Sequence, residues 1–390
     1  MAQDVAILDF GSEKITVLIG ERGVNNTINI IGMGECNYEG FSDGMWHQPD
    51  QLGMVVGMAI SNAETNSRTK IRHLYIGVPG EFCSSVCKKV DLSLNKKRKI
   101  TDIDVDALHE QGNTFKLNSD MTLINSQPIY YTIDDGRRLM QPVGLTSSRL
   151  GGFISYIFAE TSFIDFVDKI MSEVGIESVE YVCSMLAETL FLFSDIERDR
   201  FVVLIDVGCS TTNVVVARGD GILCMNSFSR GGGFISADLA TAFEIPFSLA
   251  ESLKRKIVLS LNVGDDDVYK VSTSRDSTAS FPAKEVNAIA TERIKSIAKT
   301  IEECLSNCKY EFPDYIPYHI TGGGLCYMRG ARDCMSKFLG KPLQIVAPSL
   351  PQFTRPHLSS SLGLMDMVLN KQAAPAKKKG FFSRLFGGDK

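Results

Sequence analysis

Two aspartates close matching stretches of this chain. In VAILDFGSEKITVLI, residues 5–19, an apolar strand ends at Asp9, a Gly11-Ser12 turn follows, and a second apolar strand leaves. In FVVLIDVGCSTTNVVVARG, residues 201–219, Val202–Ile205 reads as one buried strand and Val214–Ala217 as its return. Between them stand Asp206, Gly208, Cys209, Ser210, Thr211, Thr212 and Asn213. Glycine and serine let the backbone come close to a ligand, and successive N–H groups make a nest for anions. Ser12, Ser210, Thr211 and Thr212 add hydroxyl donors, and Lys14 could neutralise a phosphate oxygen. Asp9 and Asp206 would repel phosphate directly. They suit Mg2+ held through water, because magnesium keeps several waters and takes few protein carboxylates. Either hairpin alone is weak evidence and reads more readily as an ordinary glycine turn. The matched pair points to two similar domains facing one another.

Three further clusters add to the same site. YHITGGGLCYMRGA, residues 318–331, reads as a short strand, then Thr321 with Gly322, Gly323 and Gly324, then a helix. At such a strand-to-helix turn, N–H groups and the helix dipole favour a nucleotide. In RGGGFISADLA, residues 230–240, Gly231 and Gly232 precede Ser236, which predicts an N-cap for a helix from Ala237. PFSLAESLKRK, residues 246–256, places Glu251 and Lys254 near one helical face. Five pieces that would converge on one ligand point to a nucleotide, with Mg2+.

The rest of the composition narrows the class. At 390 residues, with 44% hydrophobic and 22% charged residues, the chain has room for two or three domains. A net charge of -5 argues against a nucleic-acid partner. The opening Met1-Ala2-Gln3-Asp4 lacks a secretory signal pattern, and no apolar run approaches the roughly 20 residues of a membrane-spanning helix. The ten cysteines are scattered; Cys83/Cys87 and Cys304/Cys308 share a spacing of four, without a nearby histidine, and read as reduced thiols. The five histidines form no cluster.

In this order, the pieces resemble the actin-like ATPase superfamily, and within it the FtsA family of bacterial cell-division proteins. The two hairpins look like its phosphate loops and TGGG like its adenosine motif. EVNAIATERIKSIAKTIEECL, residues 285–305, and SSSLGLMDMVLN, residues 359–370, resemble its route into that motif and its returning helix. The resemblance implies an α/β, actin-like (ribonuclease H-like duplicated) two-domain fold. Its first domain would take 1–81, 163–194 and 357–370, and its second 195–350, with 231–310 as a small subdomain. Residues 82–162 would form the FtsA-type inserted α+β subdomain. There KITDIDVDALHEQ predicts a helix capped by Thr101, and Asp135-Gly136 a hairpin turn. Helix 163–175 carries a core stripe of Phe163, Phe166, Val167 and Ile170.

The resemblance also assigns roles. Glu188, in MLAETLFL, matches the family's connecting-helix glutamate and could polarise water. The family's second loop usually carries three glycines and ends in aspartate; here Cys209 and Ser210 replace two glycines and Asn213 the aspartate. A neutral amide is no base, and losing such help slows hydrolysis by ~10²–10⁴. ATP binding with slow or absent turnover is therefore expected. The implied partners are the FtsZ C-terminal peptide, which Arg293, Lys295 and Lys299 on helix 285–305 could meet, further copies of the chain in a polymer, and later division proteins. Localisation would be peripheral, on the cytoplasmic side of the cell membrane at the septum. A small-molecule kinase or a pilus-assembly relative on the same fold is the alternative.

The last residues carry a separate signal. After the Ala/Pro/Lys stretch 371–379, GFFSRLFGGDK places Phe381, Phe382, Leu385 and Phe386 on one broad helical face, with Arg384 turned away. Lys377, Lys378 and Lys379 lie just upstream. Aromatics at the acyl boundary and cations for anionic headgroups predict an amphipathic membrane-targeting helix over 380–390.

Overall fold

The computed structural model describes residues 4–24, 27–115, 120–274 and 277–373. The chain opens with the β-branched runs β1 (Val5–Phe10), β2 (Lys14–Arg22) and β3 (Ile28–Asn37). A short ribbon of β4 (Phe41–Ser42) and β5 (Met45–Trp46) leads to α1 (Pro49–Ser67). Pro49 suits the first helical turn, where its missing N–H is no loss, and α1 stops where Arg68 turns left-handed. After β6 (His73–Val78) come β7 (Cys83–Lys99), α2 (Asp102–Gly112), β8 (Met121–Thr132), β9 (Arg138–Leu139) and β10 (Thr146–Glu160). Then α3 (Thr161–Glu173), β11 (Ser178–Cys183), α4 (Ser184–Leu192) and the one-turn α5 (Asp195–Asp199) lead onward.

The second half repeats the plan. β12 (Val202–Val207), β13 (Thr212–Arg218) and β14 (Gly221–Phe228) form its meander. α6 (Gly233–Phe243), α7 (Phe247–Lys254), the ribbon β15 (Val268–Ser274) and β16 (Ser277–Pro282), and the long α8 (Ala283–Ser306) follow. The chain continues through β17 (Tyr318–Thr321), α9 (Ala331–Leu339), β18 (Leu343–Ile345) and α10 (Ser359–Ala373). Helix bounds differ slightly from the sequence reading: α3 starts two residues earlier, and α10 runs on into the stretch read as linker.

The two main sheets share one topology. Their orders, β3-β2-β1-β6-β11 and β14-β13-β12-β17-β18, each set an antiparallel meander beside two parallel strands reached by helical crossovers. β1 pairs in parallel with β6, and β12 with β17. Such parallel strands lie covered on both faces, which explains their unbroken Val/Ile/Leu runs. α4 carries the chain out of the first lobe and α10 brings it back, packing on α4 and on the first sheet around Leu362, Leu364, Met365 and Val368. The carboxyl ends of β1 and β12 are thereby turned toward one cleft.

Between β6 and α3 lies a four-stranded sheet, β7-β10-β8-β9, with α2 on one face. Its other face rests on the second lobe: the Ser155 hydroxyl donates to Ile222 O at 2.7 Å and Asp220 N–H to Pro128 O at 3.0 Å. Gly136, at φ 75°, turns the β8–β9 hairpin as Asp-Gly predicts. Thr101 caps α2 within a capping box closed by Asp104. Thr101→Ala should therefore cost about 1 kcal/mol, read as a lower urea midpoint.

Candidate functional site

The two aspartates arrive by the same geometry. Asp9 stands opposite Thr16 in the β1–β2 ladder, and Asp206 opposite Asn213 in β12–β13. Gly11 N–H donates to Lys14 O at 3.0 Å, and Gly208 N–H to Thr211 O at 2.9 Å, so both turns close alike. The turns also meet: Ser210 N–H donates to Ser12 Oγ at 3.1 Å, and the Ser210 hydroxyl to the carbonyl of Ser12 at 3.3 Å. Around this contact opens a cleft of about 640 Å3. Asp9, Gly11, Ser12, Lys14, Glu188, Asp206, Gly208, Cys209, Thr211, Glu251, Lys254, Gly322, Gly323 and Gly324 line it, from both lobes.

Four of the predicted residues do not line it. Ser210 directs its hydroxyl to the first loop, and Thr212, fully buried, donates to Arg230 O at 2.6 Å on the far side of its strand. Gly231 and Gly232 form a backbone weld instead. Gly232 N–H donates to Gly208 O at 2.9 Å, and a Cβ on Gly232 would fall 2.1 Å from Gly324 O. These contacts start α6 at Gly233, so Ser236 lies inside the helix and is not its N-cap. Its hydroxyl donates to Glu251 at 2.6 Å. The TGGG reading changes as well: an irregular turn follows Gly322, and α9 begins only at Ala331. The three glycines line the cleft without a helix N-terminus, and Gly324 N–H is already given to Val207 O at 2.7 Å.

Burial sets the electrostatics. Asp9, 8% exposed, is pushed up to about 6 by desolvation and by Asp206, against hydrogen bonds from Ser360 at 3.0 Å and Ser184 at 3.3 Å. Asp206 keeps some surface open to the cleft, yet the surrounding protein also pushes it up to about 6, with Asn213 donating from 3.3 Å. Glu188, 3% exposed, is held well above the ordinary carboxylate range by burial and by both aspartates. A divalent cation would relieve this crowding, so the donor set fits Mg2+. Lys14 pairs with Glu35 at 2.5 Å, and Lys254 with Glu251 at 2.7 Å. Cys209 is pushed up to about 12 by burial, which keeps it an inert thiol at neutral pH.

Sequence reading missed Ser184, the first residue of α4, and Ser360, in the first turn of α10, which both donate to Asp9. The serine run 359–361 at a helix start was the available signal. It also missed Glu81, which accepts from the Ser229 hydroxyl of the second lobe at 2.7 Å while Asp43 N–H donates to that hydroxyl at 2.6 Å. Away from the cleft, Arg293 turns to α6 and binds Asp238 through two bonds of 2.6 and 2.7 Å. Lys295 and Lys299 are exposed on α8, 3.5 Å from Glu292 and 3.9 Å from Glu303. Phe381, Phe382, Arg384, Leu385 and Phe386 lie outside the described residues.

The raised aspartates carry a pH signature. An acid whose folded value is raised lends stability that is full below its unfolded value and lost as pH rises through the folded one. From 3.8 to about 6, the loss is roughly 3 kcal/mol per buried carboxylate. Asp104 and Glu180, held low by Arg98 and chiefly by His73, change below this window. His319 and His357, lowered by burial, slope the other way. The readout is therefore the difference between the natural chain and Asp206→Asn. The gap between the urea midpoints without nucleotide should widen from pH 4 to pH 7.5, in favour of the variant.

Two like-folded lobes, meeting at mirrored hairpins with an α+β unit inserted in the first, define an actin-like protein. Solved structures agree on the fold. The PilM–PilN type IV pilus biogenesis complex matches with a TM-score of 0.60 at 15% identity, over 94% of this chain and 98% of that one. MreB5 of Spiroplasma citri bound to AMPPNP matches with 0.54 at 12% identity, over 95% and 98%. Family models are more specific: "Cell division protein FtsA" matches residues 203–363 and "SHS2 domain inserted in FTSA" matches 80–158. The cell division protein FtsA of Neisseria meningitidis serogroup B is 25% identical over 98% of this chain and 95% of its own. That of Escherichia coli K12 is 22% identical over 95% and 92%. The chain belongs to the FtsA family of cell-division proteins.

Proposed function

We propose that this protein binds ATP with Mg2+ in the cleft, polymerises on the inner leaflet, and tethers FtsZ filaments to the cytoplasmic membrane, where it recruits later division proteins. The single observation that carries the nucleotide reading is the meeting of two mirrored loops, Gly11–Lys14 and Gly208–Thr211, beside buried Asp9 and the partly open Asp206. A triphosphate between the loops would exchange the Ser12–Ser210 bonds for its own, and Asp9 and Asp206 would hold the waters of its magnesium. Binding would thus join the lobes through the ligand. Turnover is slow in this reading. Burial and both aspartates disfavour the charged form of Glu188 in the absence of a cation, and Asn213 offers an amide where a base would stand.

Membrane attachment rests on the sequence of 380–390 and on family membership. Among the described residues no helix is long and apolar enough to cross a membrane. Burying four large apolar side chains gives at most ~6–12 kcal/mol, much less at an interface after helix ordering. One tail is a weak anchor, and a polymer of tails a firm one through avidity. The experiment is co-sedimentation of the full chain with anionic liposomes and FtsZ C-terminal peptide, with and without ATP, beside a chain lacking 380–390. The full chain should carry peptide to the pellet, more so with ATP. The truncated chain should lose lipid binding at least about tenfold while keeping peptide and ATP. Equal pelleting of both chains would sink the anchor.

A further inference from the structure

A second cavity, of about 560 Å3, opens where α4, α5, α10 and the inserted sheet meet, and it shares no lining residue with the nucleotide cleft. Its apolar wall includes Leu190 and Phe191, at the end of α4, and Met367 of α10, all half-buried. Its charged lining sets three carboxylates, Asp195, Asp220 and Asp366, against Arg198 alone. Arg198 is buried and fully engaged: it donates to Asp195 at 2.7 Å, to Asp220 at 2.6 Å and to Gly219 O at 2.9 Å. The Asp195 side chain is 93% exposed, so the rim meets an approaching cation with a carboxylate.

The chain leaves the described fold at the edge of this cavity. Arg22 donates to Asp366 at 3.1 Å and to Asn370 at 2.5 Å, and Lys371 pairs with Glu180, so the end of α10 is held in place. α10 ends at Ala373, one turn past Asn370, which itself lines the cavity. Residues 374–379 span at most about 20 Å when extended, which brings 380–390 within reach. A tether that short gives the segment an effective concentration on the order of millimolar at the cavity.

We propose, resting on the amphipathic reading of 380–390, that away from lipid this segment docks in the cavity of its own chain. Phe381, Phe382, Leu385 and Phe386 lie against Leu190, Phe191 and Met367, and Lys377, Lys378, Lys379 and Arg384 face Asp195, Asp220 and Asp366. Apolar area is driven out of water, and the segment has two places to put it. The face that enters the acyl boundary is the face that enters the cavity, so the two sites exclude one another. On an anionic surface the headgroups take the cations and the tail leaves the fold. A second copy offers the same cavity, but the tether favours the tail's own chain at any working concentration below about millimolar. Docking thus keeps a lone chain from exposing its aromatic face.

The test uses the full chain with photoreactive benzoylphenylalanine in place of Phe382, irradiated without lipid, digested and mapped by mass. The expected crosslinks join position 382 to residues 187–198 or 366–370 of the same chain, at a yield that dilution does not change. Vesicles of phosphatidylglycerol and phosphatidylethanolamine should lower that yield at least about tenfold. Asp195→Lys should weaken the crosslink and raise vesicle binding at least about twofold. The same substitution in a chain lacking 380–390 should leave vesicle binding unchanged, which separates release of the tail from an added surface cation. Crosslinks between two chains, crosslinks elsewhere on the fold, or none without lipid would overturn the docking. A crosslink in the cavity that vesicles leave intact, from a chain that does not pellet with them, would uphold the docking and sink the membrane anchor instead.

Discussion

Gly322→Ala should cost on the order of 3 kcal/mol of folding free energy and abolish nucleotide binding. Gly322 sits at φ 90°, where an L side chain is strained by roughly 1–2 kcal/mol. A Cβ there would fall 2.2 Å from Asp206 Oδ1 and 2.4 Å from Val207 O. Neither can retreat easily: Val207 O accepts Gly324 N–H at 2.7 Å, and Asp206 is tied to Asn213. The carboxylate proposed to hold magnesium water would have to swing away, so binding should fall along with stability. Gly323 is the control. A Cβ there meets only His357 Cβ, at 3.2 Å, and Gly323→Ala should stay within about 1 kcal/mol of the natural chain. Urea denaturation and calorimetric titration with Mg-ATP read both effects. Matching midpoints for the two variants would show that the turn is not the rigid backstop of Asp206.

How much of this was legible in the sequence depends on the kind of signal. Asp9 and Asp206 were readable because β-branched strands, a glycine turn and a carboxylate recur in one order, and a repeat is visible without knowing the fold. The α2 cap and the β8–β9 turn were readable because Thr101 with Asp104, and Asp135 with Gly136, act on their immediate neighbours. Ser236 and the TGGG turn were misread where tertiary contact overrides local propensity. Gly232 and Gly324 are drawn together by backbone bonds to the second loop, and those bonds fix where α6 begins and delay α9. Ser184, Ser360 and Glu81 escaped because their partners lie far off in sequence.

Replacing Asn213 by aspartate should raise steady-state ATP hydrolysis by ~10²–10⁴, a fall of about 3–5 kcal/mol in the barrier, if this position serves the attacking water. The amide is now held at both ends: Nδ2 donates to Asp206 at 3.3 Å, and Oδ1 accepts the Ser227 hydroxyl at 2.8 Å. The equivalent place in the first hairpin is Thr16, so neither ladder sets a charged residue opposite its aspartate. A carboxylate at 213 keeps the Ser227 bond and loses the donation to Asp206. Two facing carboxylates then share a buried site, which raises the proton affinity of both. One consequence is a base poised nearer neutrality; another is a protein less stable without nucleotide at pH 7.5. Magnesium would offset that cost, so Mg-ATP should protect Asn213→Asp from urea more than it protects the natural chain. Asn213→Ala separates chemistry from packing, because it frees Asp206 but supplies no base and should stay slow. If Asn213→Asp binds Mg-ATP yet releases phosphate no faster than Asn213→Ala, the proposed slow turnover has another origin, and Glu188, buried and under the charge of both aspartates, becomes the residue to change next.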